Sequence, residues 1–206
     1  AAILDALDGR IARLTHTESD FGAEYDSLVD MVSFGLAPAL IMYEWALSGM
    51  GKLGWLAAFI YTAGAGLRLA RFNTRVGSVD KRYFQGLASP AAAGLVAGLV
   101  WIMNDFGFTG ADVRWWAWGM TIFAGITMVT NVRYYSFKEI HMKKSIPFVA
   151  MLLIILGFAV VQYNAPLALF SFFVSYALSG YVMELSALLK RKGQIHVLVR
   201  KGSQKK

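Results

Sequence analysis

The sequence has no cysteine among its 206 residues, which excludes disulfide bonds and thiolate metal ligands. Its three histidines have no mutual spacing that indicates a metal site, and its apolar runs lack the two-residue alternation of β-strands. Hydrophobic residues make up 57% of the chain without glycine, against about 45–50% with glycine included in a typical soluble domain. These features together indicate a helical membrane protein.

Six windows have about the length and apolar composition that a membrane-spanning helix needs. They cover residues 25–48, 54–72, 87–104, 113–130, 145–163 and 166–189. Because only four residues precede Asp5, we expect the chain to begin within a preceding membrane helix. The predicted fold is an all-α polytopic transmembrane helical bundle, with six full spanning helices plus the end of a preceding one. We expect residues 1–189 to form the membrane domain and residues 190–206 a basic cytoplasmic tail.

Basic residues lie almost entirely at one end of these windows. Of the 20 Lys and Arg residues, only Lys52 and Arg114 lie at the other end, where five tryptophans are typical of an aromatic belt. The positive-inside rule then places the basic end in the cytoplasm. The net charge of +7 follows from this topology, and we expect no nucleic-acid partner.

Four aspartates lie near the beginning of the chain, at the predicted cytoplasmic end. On helices, Asp5 and Asp8 share one face because they are three residues apart, and Asp26 and Asp30 share another because they are four apart. Carboxylates clustered beside hydrocarbon repel one another and cost desolvation energy unless a cation neutralises them. Oxygen ligands suit Mg²⁺, Mn²⁺ or Ca²⁺. The pattern therefore predicts a divalent-metal site.

Small residues and an arginine accompany these carboxylates. Gly9, Ala12 and Gly22 allow a ligand to approach the backbone closely, and Arg13 presents a fork of donors suited to phosphate. A carboxylate-bound divalent ion beside such residues is suited to binding a diphosphate and to stabilising its negative charge.

The spacing D-x-x-D-G-x-x-A-R-x8-G-x-x-x-D-x-x-x-D, from Asp5 to Asp30, resembles the signature of the CDP-alcohol phosphotransferases at every fixed position. Four stretches also resemble the CDP-diacylglycerol–serine O-phosphatidyltransferase branch: DSLVDMVSFGLAPA (26–39), RLARFN (68–73), YFQGLASPAAAG (83–94) and NVRYYSFK (131–138). One departure is Ala88, where that branch usually has proline, and we expect little consequence from it.

The resemblance implies a homodimeric enzyme, embedded in membrane lipids, that transfers the phosphatidyl group from CDP-diacylglycerol to L-serine and releases CMP. In it, Asp5, Asp8 and Asp26 would bind Mg²⁺ or Mn²⁺, as one ion or two, with help from Asp30. Asp30 would also be the catalytic general base, at a site facing the cytoplasm. The residues along the CDP moiety would be Gly9, Ala12, Arg13 and Gly22.

An amino-acid acceptor brings a carboxylate, for which the site needs a cationic partner. We expect Arg71 and Arg133 to contact the substrate carboxylate or phosphate, and Ser33 and Phe34 to shape the acceptor pocket. For these arginines and for Arg68, anchoring at the membrane surface is an equally good interpretation.

Two alternative functions stay open. The first keeps the chemistry but changes the acceptor to glycerol 3-phosphate, inositol phosphate or choline. The second is a cation-coupled transporter that uses the aspartates as an ion path. A transporter predicts acidic residues at mid-bilayer depth in several helices, whereas the aspartates here lie in the first two segments.

Overall fold

The computed structural model describes residues 19–74, 83–135 and 148–203. In these ranges the chain is helical apart from two three-residue strands and short connecting turns. The helices are α1 (Asp20–Asp30), α2 (Ala37–Met42), α3 (Lys52–Thr74), α4 (Ser89–Asp105), α5 (Arg114–Val129), α6 (Phe148–Tyr163) and α7 (Ala165–Ser203). The strands are β1 (Tyr83–Gln85) and β2 (Arg133–Tyr135). Two π-helical turns (Met31–Leu36 and Tyr43–Leu47) and a 3₁₀ turn (Ser48–Met50) continue the first helix beyond α1 and α2.

Each of the six predicted windows coincides with a helical segment, so the predicted helical architecture is confirmed. Within the described residues, three segments are long and apolar enough to cross a membrane: Glu24–Met50, Lys52–Thr74 and Ala165–Ser186. Helices α4, α5 and α6 have 17, 16 and 16 residues. At 1.5 Å per residue they measure about 24–26 Å, somewhat less than the hydrocarbon core of a bilayer. The three longer segments make the chain an integral membrane protein. That all six windows span the membrane stays a prediction.

The first helix begins with a side-chain cap and is interrupted by a proline. The Ser19 hydroxyl accepts a hydrogen bond from the Gly22 amide at 3.0 Å, which satisfies one of the free amides of the first turn. Pro38 has no amide to donate to the carbonyl of Phe34, four residues earlier. That carbonyl instead accepts a hydrogen bond from the buried Tyr61 hydroxyl at 3.0 Å. The bond ties α3 to the π-helical turn that precedes the proline.

Helix α3 runs antiparallel to the first helix and packs along its length. At one end the Gly54 position closely faces the Leu47 carbonyl, and at the other the Asn73 amide donates to the Ser27 hydroxyl at 3.1 Å. Near the Gly54 end, the Trp45 indole donates to the Asn104 side chain at 3.2 Å. The Gly54 end and the Asn73 end of this helix pair are therefore opposite ends of the bundle. The aspartates of α1 lie at the Asn73 end.

Glycines allow the closest helix contacts in the bundle. Gly64 of α3 lies against the backbone of Gly125 in α5, where a Cβ would collide with a carbonyl oxygen. Gly94 and Gly98 of α4 pack against the rings of two α7 phenylalanines, Phe173 and Phe170. The fully buried side chains around these contacts include Met42, Leu47, Tyr61, Leu95, Val96, Thr121 and Met128.

A short antiparallel ladder joins β1 to β2, with Gln85 opposite Arg133. The ladder cannot be predicted from the sequence, because three residues show no periodicity and the two strands lie about 50 residues apart. The Tyr134 side chain at its centre is fully buried, and its hydroxyl donates to the Ala177 carbonyl at 2.9 Å. The ladder thus holds α7 against the rest of the bundle.

Helix α7 is longer than its predicted window. It begins after Asn164, whose side chain accepts a hydrogen bond from the Leu167 amide at 2.9 Å. The window ended at residue 189 because the apolar composition ends there, yet the backbone stays helical to Ser203. Lys, Arg and Gln, which are frequent beyond residue 189, are favourable helix formers, so a change in polarity does not end a helix.

Candidate functional site

The predicted site falls partly within the described residues. Asp5, Asp8, Gly9, Ala12 and Arg13 lie outside them, so their predicted roles are untested. The others lie on three elements of the described chain: Gly22, Asp26 and Asp30 on α1, Arg71 on α3, and Arg133 in β2.

Gly22, Asp26 and Asp30 follow one another at four-residue intervals and form one stripe along α1. Asp26 is exposed, whereas Asp30 is half-buried where α1 meets the bundle. No group of three or more His, Cys, Asp or Glu side chains that could hold a metal occurs among the residues that the structure describes. The two carboxylates nevertheless fit the predicted donor set, since both offer hard oxygen ligands on one stripe and Asp26 is accessible.

The contacts between the first helix and α3 place Arg68 near Asp30. On one side of Arg68, the Cβ of Ala65 lies 3.0 Å from the position that a Cβ on Gly35 would occupy. On the other side, Asn73 is hydrogen-bonded to Ser27. Because the two antiparallel helices touch at both points, the residues that lie between these points on each helix are also close to each other. The charges of Arg68 and Asp30 interact across this gap.

Arg68 also reaches the beginning of α4. Its Nη1 donates to the Ser89 hydroxyl at 3.0 Å, and Ser89 is itself buried. The Nε of Arg68 is buried and has no hydrogen-bond partner among the described residues. A buried N–H without an acceptor is uncommon in folded proteins and costs about 1–3 kcal/mol, so the Arg68 guanidinium is not fully satisfied by the described residues.

Arg71 lies one turn further along α3 and is half-buried. Its Nη1 donates to the Asn131 side chain at 3.1 Å, just before β2. The backbone of Arg133 lies two residues further on, in the ladder with Gln85. The structure therefore brings Arg71 close to the segment that carries Arg133, and it leaves their predicted substrate contacts untested.

The residues predicted to shape the acceptor pocket lie in the first π-helical turn. Ser33 is half-buried, and Phe34 is buried with its carbonyl bonded to Tyr61. The structure thus places both residues just after Asp30 on the same helix.

The sequence did not assign a role at the site to two tyrosines, Tyr176 and Tyr134, although Tyr134 lies in one of the stretches that resemble the serine branch. Tyr176 of α7 is half-buried and lies within electrostatic range of Arg68. Its ring packs against the ring of Tyr134, with the centroids 5.5 Å apart. Burial raises the pKa of Tyr134, whose hydroxyl donates to the Ala177 carbonyl. No linear pattern indicates this contact, because Tyr176 lies within an ordinary apolar window.

The profile of the CDP-alcohol phosphatidyltransferase family matches residues 1–126. The chain is similar to the CDP-diacylglycerol–serine O-phosphatidyltransferase of Helicobacter pylori (strain J99), with 36% identity over 189 residues, which are 91% of this chain and 78% of that protein. Proteins of the same name in Mycobacterium leprae and Methanocaldococcus jannaschii are 38% and 37% identical. Those two matches cover 75% and 64% of this chain, and 53% and 58% of the respective relatives.

The family match includes the whole motif from Asp5 to Asp30 and the helices that carry Asp30, Arg68 and Ser89. It also confirms the resemblance seen in the sequence alone. This chain belongs to the CDP-alcohol phosphatidyltransferase family.

Proposed function

We propose that this integral membrane protein is a phosphatidylserine synthase, which transfers the phosphatidyl group from CDP-diacylglycerol to the hydroxyl of L-serine and releases CMP. The observation that carries the proposal is 36% identity, over 91% of the chain, to a protein named for that reaction. The match extends well beyond the motif of the family, into the helices that pack around it. The serine acceptor is therefore favoured over glycerol 3-phosphate, inositol phosphate and choline.

Enzymes of this family generally depend on a divalent metal. We assign its ligands to Asp5, Asp8 and Asp26, with help from Asp30, and its identity to Mg²⁺ or Mn²⁺, as one ion or two. When bound, the metal would neutralise the negative charge of the diphosphate. The stripe of Asp26 and Asp30 on α1 supports this assignment with two suitably placed carboxylates.

The proposed role of Asp30 is that of the general base. Its carboxylate takes the proton from the serine hydroxyl, which is a poor nucleophile while protonated. The hydroxyl oxygen forms a bond to the β-phosphorus of CDP-diacylglycerol, and the bond from that phosphorus to the bridging oxygen breaks. CMP leaves with that oxygen. The residues assigned to the CDP moiety are Gly9, Ala12, Arg13 and Gly22.

The proposed arrangement is a homodimer with six spanning helices in each chain and the site at the cytoplasmic end. Residues 1–189 form the membrane domain, and residues 190–206 form the basic tail. The basic end of the windows contains the aspartates and also Arg71 and Arg133, which are proposed as contacts for substrate carboxylate or phosphate. The concentration of basic residues at that end supports the orientation.

The test is CMP release by the purified full-length protein in detergent, with CDP-diacylglycerol and Mg²⁺ or Mn²⁺. L-serine, glycerol 3-phosphate, inositol phosphate and choline are each supplied as the only acceptor. We expect release with serine alone and a loss of at least about 100-fold in kcat for Asp30→Asn. Asp105→Asn, at the exposed opposite end of the bundle, is the matched control. Release with another acceptor would contradict the serine assignment, and full activity of Asp30→Asn would contradict the assigned base.

A further inference from the structure

Arg68 carries a buried N–H donor that the described protein does not satisfy. Its guanidinium is held by the Ser89 hydroxyl at 3.0 Å through Nη1, while Nε is buried without a hydrogen-bond partner in the part of the chain that the structure describes. A guanidinium held in this way presents its remaining donors in a fixed plane, which suits a carboxylate or a phosphate. The donors of Arg68 that Ser89 does not engage are thus suited to an anionic ligand.

The place of Arg68 in the bundle indicates which anion it binds. The contacts of Gly35 with Ala65 and of Ser27 with Asn73 bracket Arg68 and place it near Asp30. This step rests on the proposed function, in which Asp30 accepts the proton of the acceptor hydroxyl. In serine, three bonds separate the hydroxyl oxygen from the carboxylate carbon, so a base and a carboxylate-binding cation must be close neighbours.

We propose that Arg68 binds the carboxylate of the acceptor amino acid and thereby determines specificity for L-serine. The donor's diphosphate is the other anion at the site. It is assigned to the metal and Arg13, with Arg71 and Arg133 as further phosphate contacts, whereas Arg68 lies beside the half-buried Asp30, where the acceptor hydroxyl must enter.

Tyr176 lies within electrostatic range of Arg68, and we assign it the role of a positioning residue. Its ring packs on Tyr134, whose hydroxyl is bonded to the Ala177 carbonyl at 2.9 Å and whose ring lies against Gly180. This stretch of α7 is thus fixed at three points beside the Arg68 guanidinium. Tyr176 also lies beyond residue 126, where the family match ends. We therefore place one determinant of acceptor choice outside the part that the family shares.

The test compares two acceptors that differ in a single group. L-serine and 2-amino-1,3-propanediol share the amine and the hydroxyl, but the second has a hydroxymethyl group in place of the carboxylate. We expect Arg68→Gln to raise KM for serine about 10- to 100-fold, the loss of one hydrogen bond to a charged group. KM for CDP-diacylglycerol should stay within about twofold, and the preference for serine over the diol should fall by a similar factor.

Two further variants separate a role in binding from a role in folding. Arg68→Lys keeps the charge without the planar fork, so it should recover part of the affinity for serine. Tyr176→Phe keeps the ring on Tyr134 and removes the hydroxyl, so it should raise KM for serine about two- to fivefold with little change in kcat. Arg114→Gln, an exposed arginine at the opposite end, is the matched control and should change neither constant.

Two results would overturn the proposal. One is a rise in KM for CDP-diacylglycerol equal to that for serine in Arg68→Gln, which would assign Arg68 to the donor. The other is an unchanged preference for serine over the diol. CMP release by the wild-type protein with serine tests the proposed function before any variant is compared. A failure of the proposed function is therefore distinguishable from a failure of the role proposed for Arg68.

Discussion

The Tyr61 hydroxyl donates a hydrogen bond at 3.0 Å to the carbonyl of Phe34, the group that Pro38 cannot serve because proline has no amide. Both partners are buried, in the part of the bundle where a free carbonyl would be costly. A side chain of α3 thus compensates for a proline in the first helix. The π-helical turn that contains Phe34 comes directly after Asp30, so this bond stabilises the backbone next to the proposed base.

Removing that hydroxyl should destabilise the protein. For Tyr61→Phe we expect the free energy of unfolding to fall by about 1–3 kcal/mol, because the carbonyl of Phe34 loses its partner while it remains buried. Denaturant titration in detergent measures this change. Tyr163→Phe is the matched control, since that side chain is 94% exposed, and it should lie within about 0.5 kcal/mol of wild type. Equal stability of the two variants would contradict the assigned role of the bond.

Asp26 should govern the metal requirement and not the affinity for serine. For Asp26→Asn we expect the metal concentration that gives half-maximal CMP release to rise at least about tenfold, because an amide oxygen is a weaker ligand than a carboxylate. KM for serine at saturating metal should change little. Glu24→Gln removes an equally exposed charge from the same helix, outside the Gly22–Asp26–Asp30 stripe, and should leave the metal titration unchanged. A shift of equal size in Glu24→Gln would indicate a general effect of charge.

Position 88 should accept the proline that the related branch usually has there. Ala88 is the N-cap of α4 with φ −61° and ψ 134°, and proline prefers a φ of about −65°. We expect Ala88→Pro to keep its activity and to change the free energy of unfolding by no more than about 1 kcal/mol. The Ala92 amide donates to the Ala88 carbonyl at 2.9 Å inside the helix, so Ala92→Pro should lose about 3 kcal/mol or more. Similar losses for both variants would contradict the assigned cap.

Stability at alkaline pH should depend on Tyr134. Burial raises the pKa of Tyr134 in the folded protein, whereas the same residue ionises near its ordinary value of about 10 when unfolded. The unfolded state therefore releases a proton that the folded state keeps, so the stability falls as the pH rises above about 10. Tyr134→Phe removes this contribution, and its free energy of unfolding should fall less steeply between about pH 9.5 and 11.5. Parallel pH profiles of the variant and the wild type would show that Tyr134 does not contribute.

Much of the architecture could be predicted from local patterns. The apolar windows located six helical segments, because a helix facing lipid or a buried neighbour is apolar over its whole length. The motif from Asp5 to Asp30 identified the family before any comparison, and the serine branch was recognised from four short stretches. The ladder between Tyr83–Gln85 and Arg133–Tyr135 was not predicted, because a three-residue strand carries no periodic signal and its stability comes from a distant partner.

The sequence by itself determined the membrane class, because that depends on composition, and the motif from Asp5 to Asp30 identified the family whose chemistry it implies. The roles of the acidic residues stay a prediction. Only the tertiary structure decided which other residues meet Asp30. Arg68 joins it because α3 runs antiparallel to the first helix, and Ser89 and Tyr176 join Arg68 because α4 and α7 pack at the same end of the bundle. These contacts span 21 to more than 100 residues of sequence, and they depend on helix packing that no local pattern encodes.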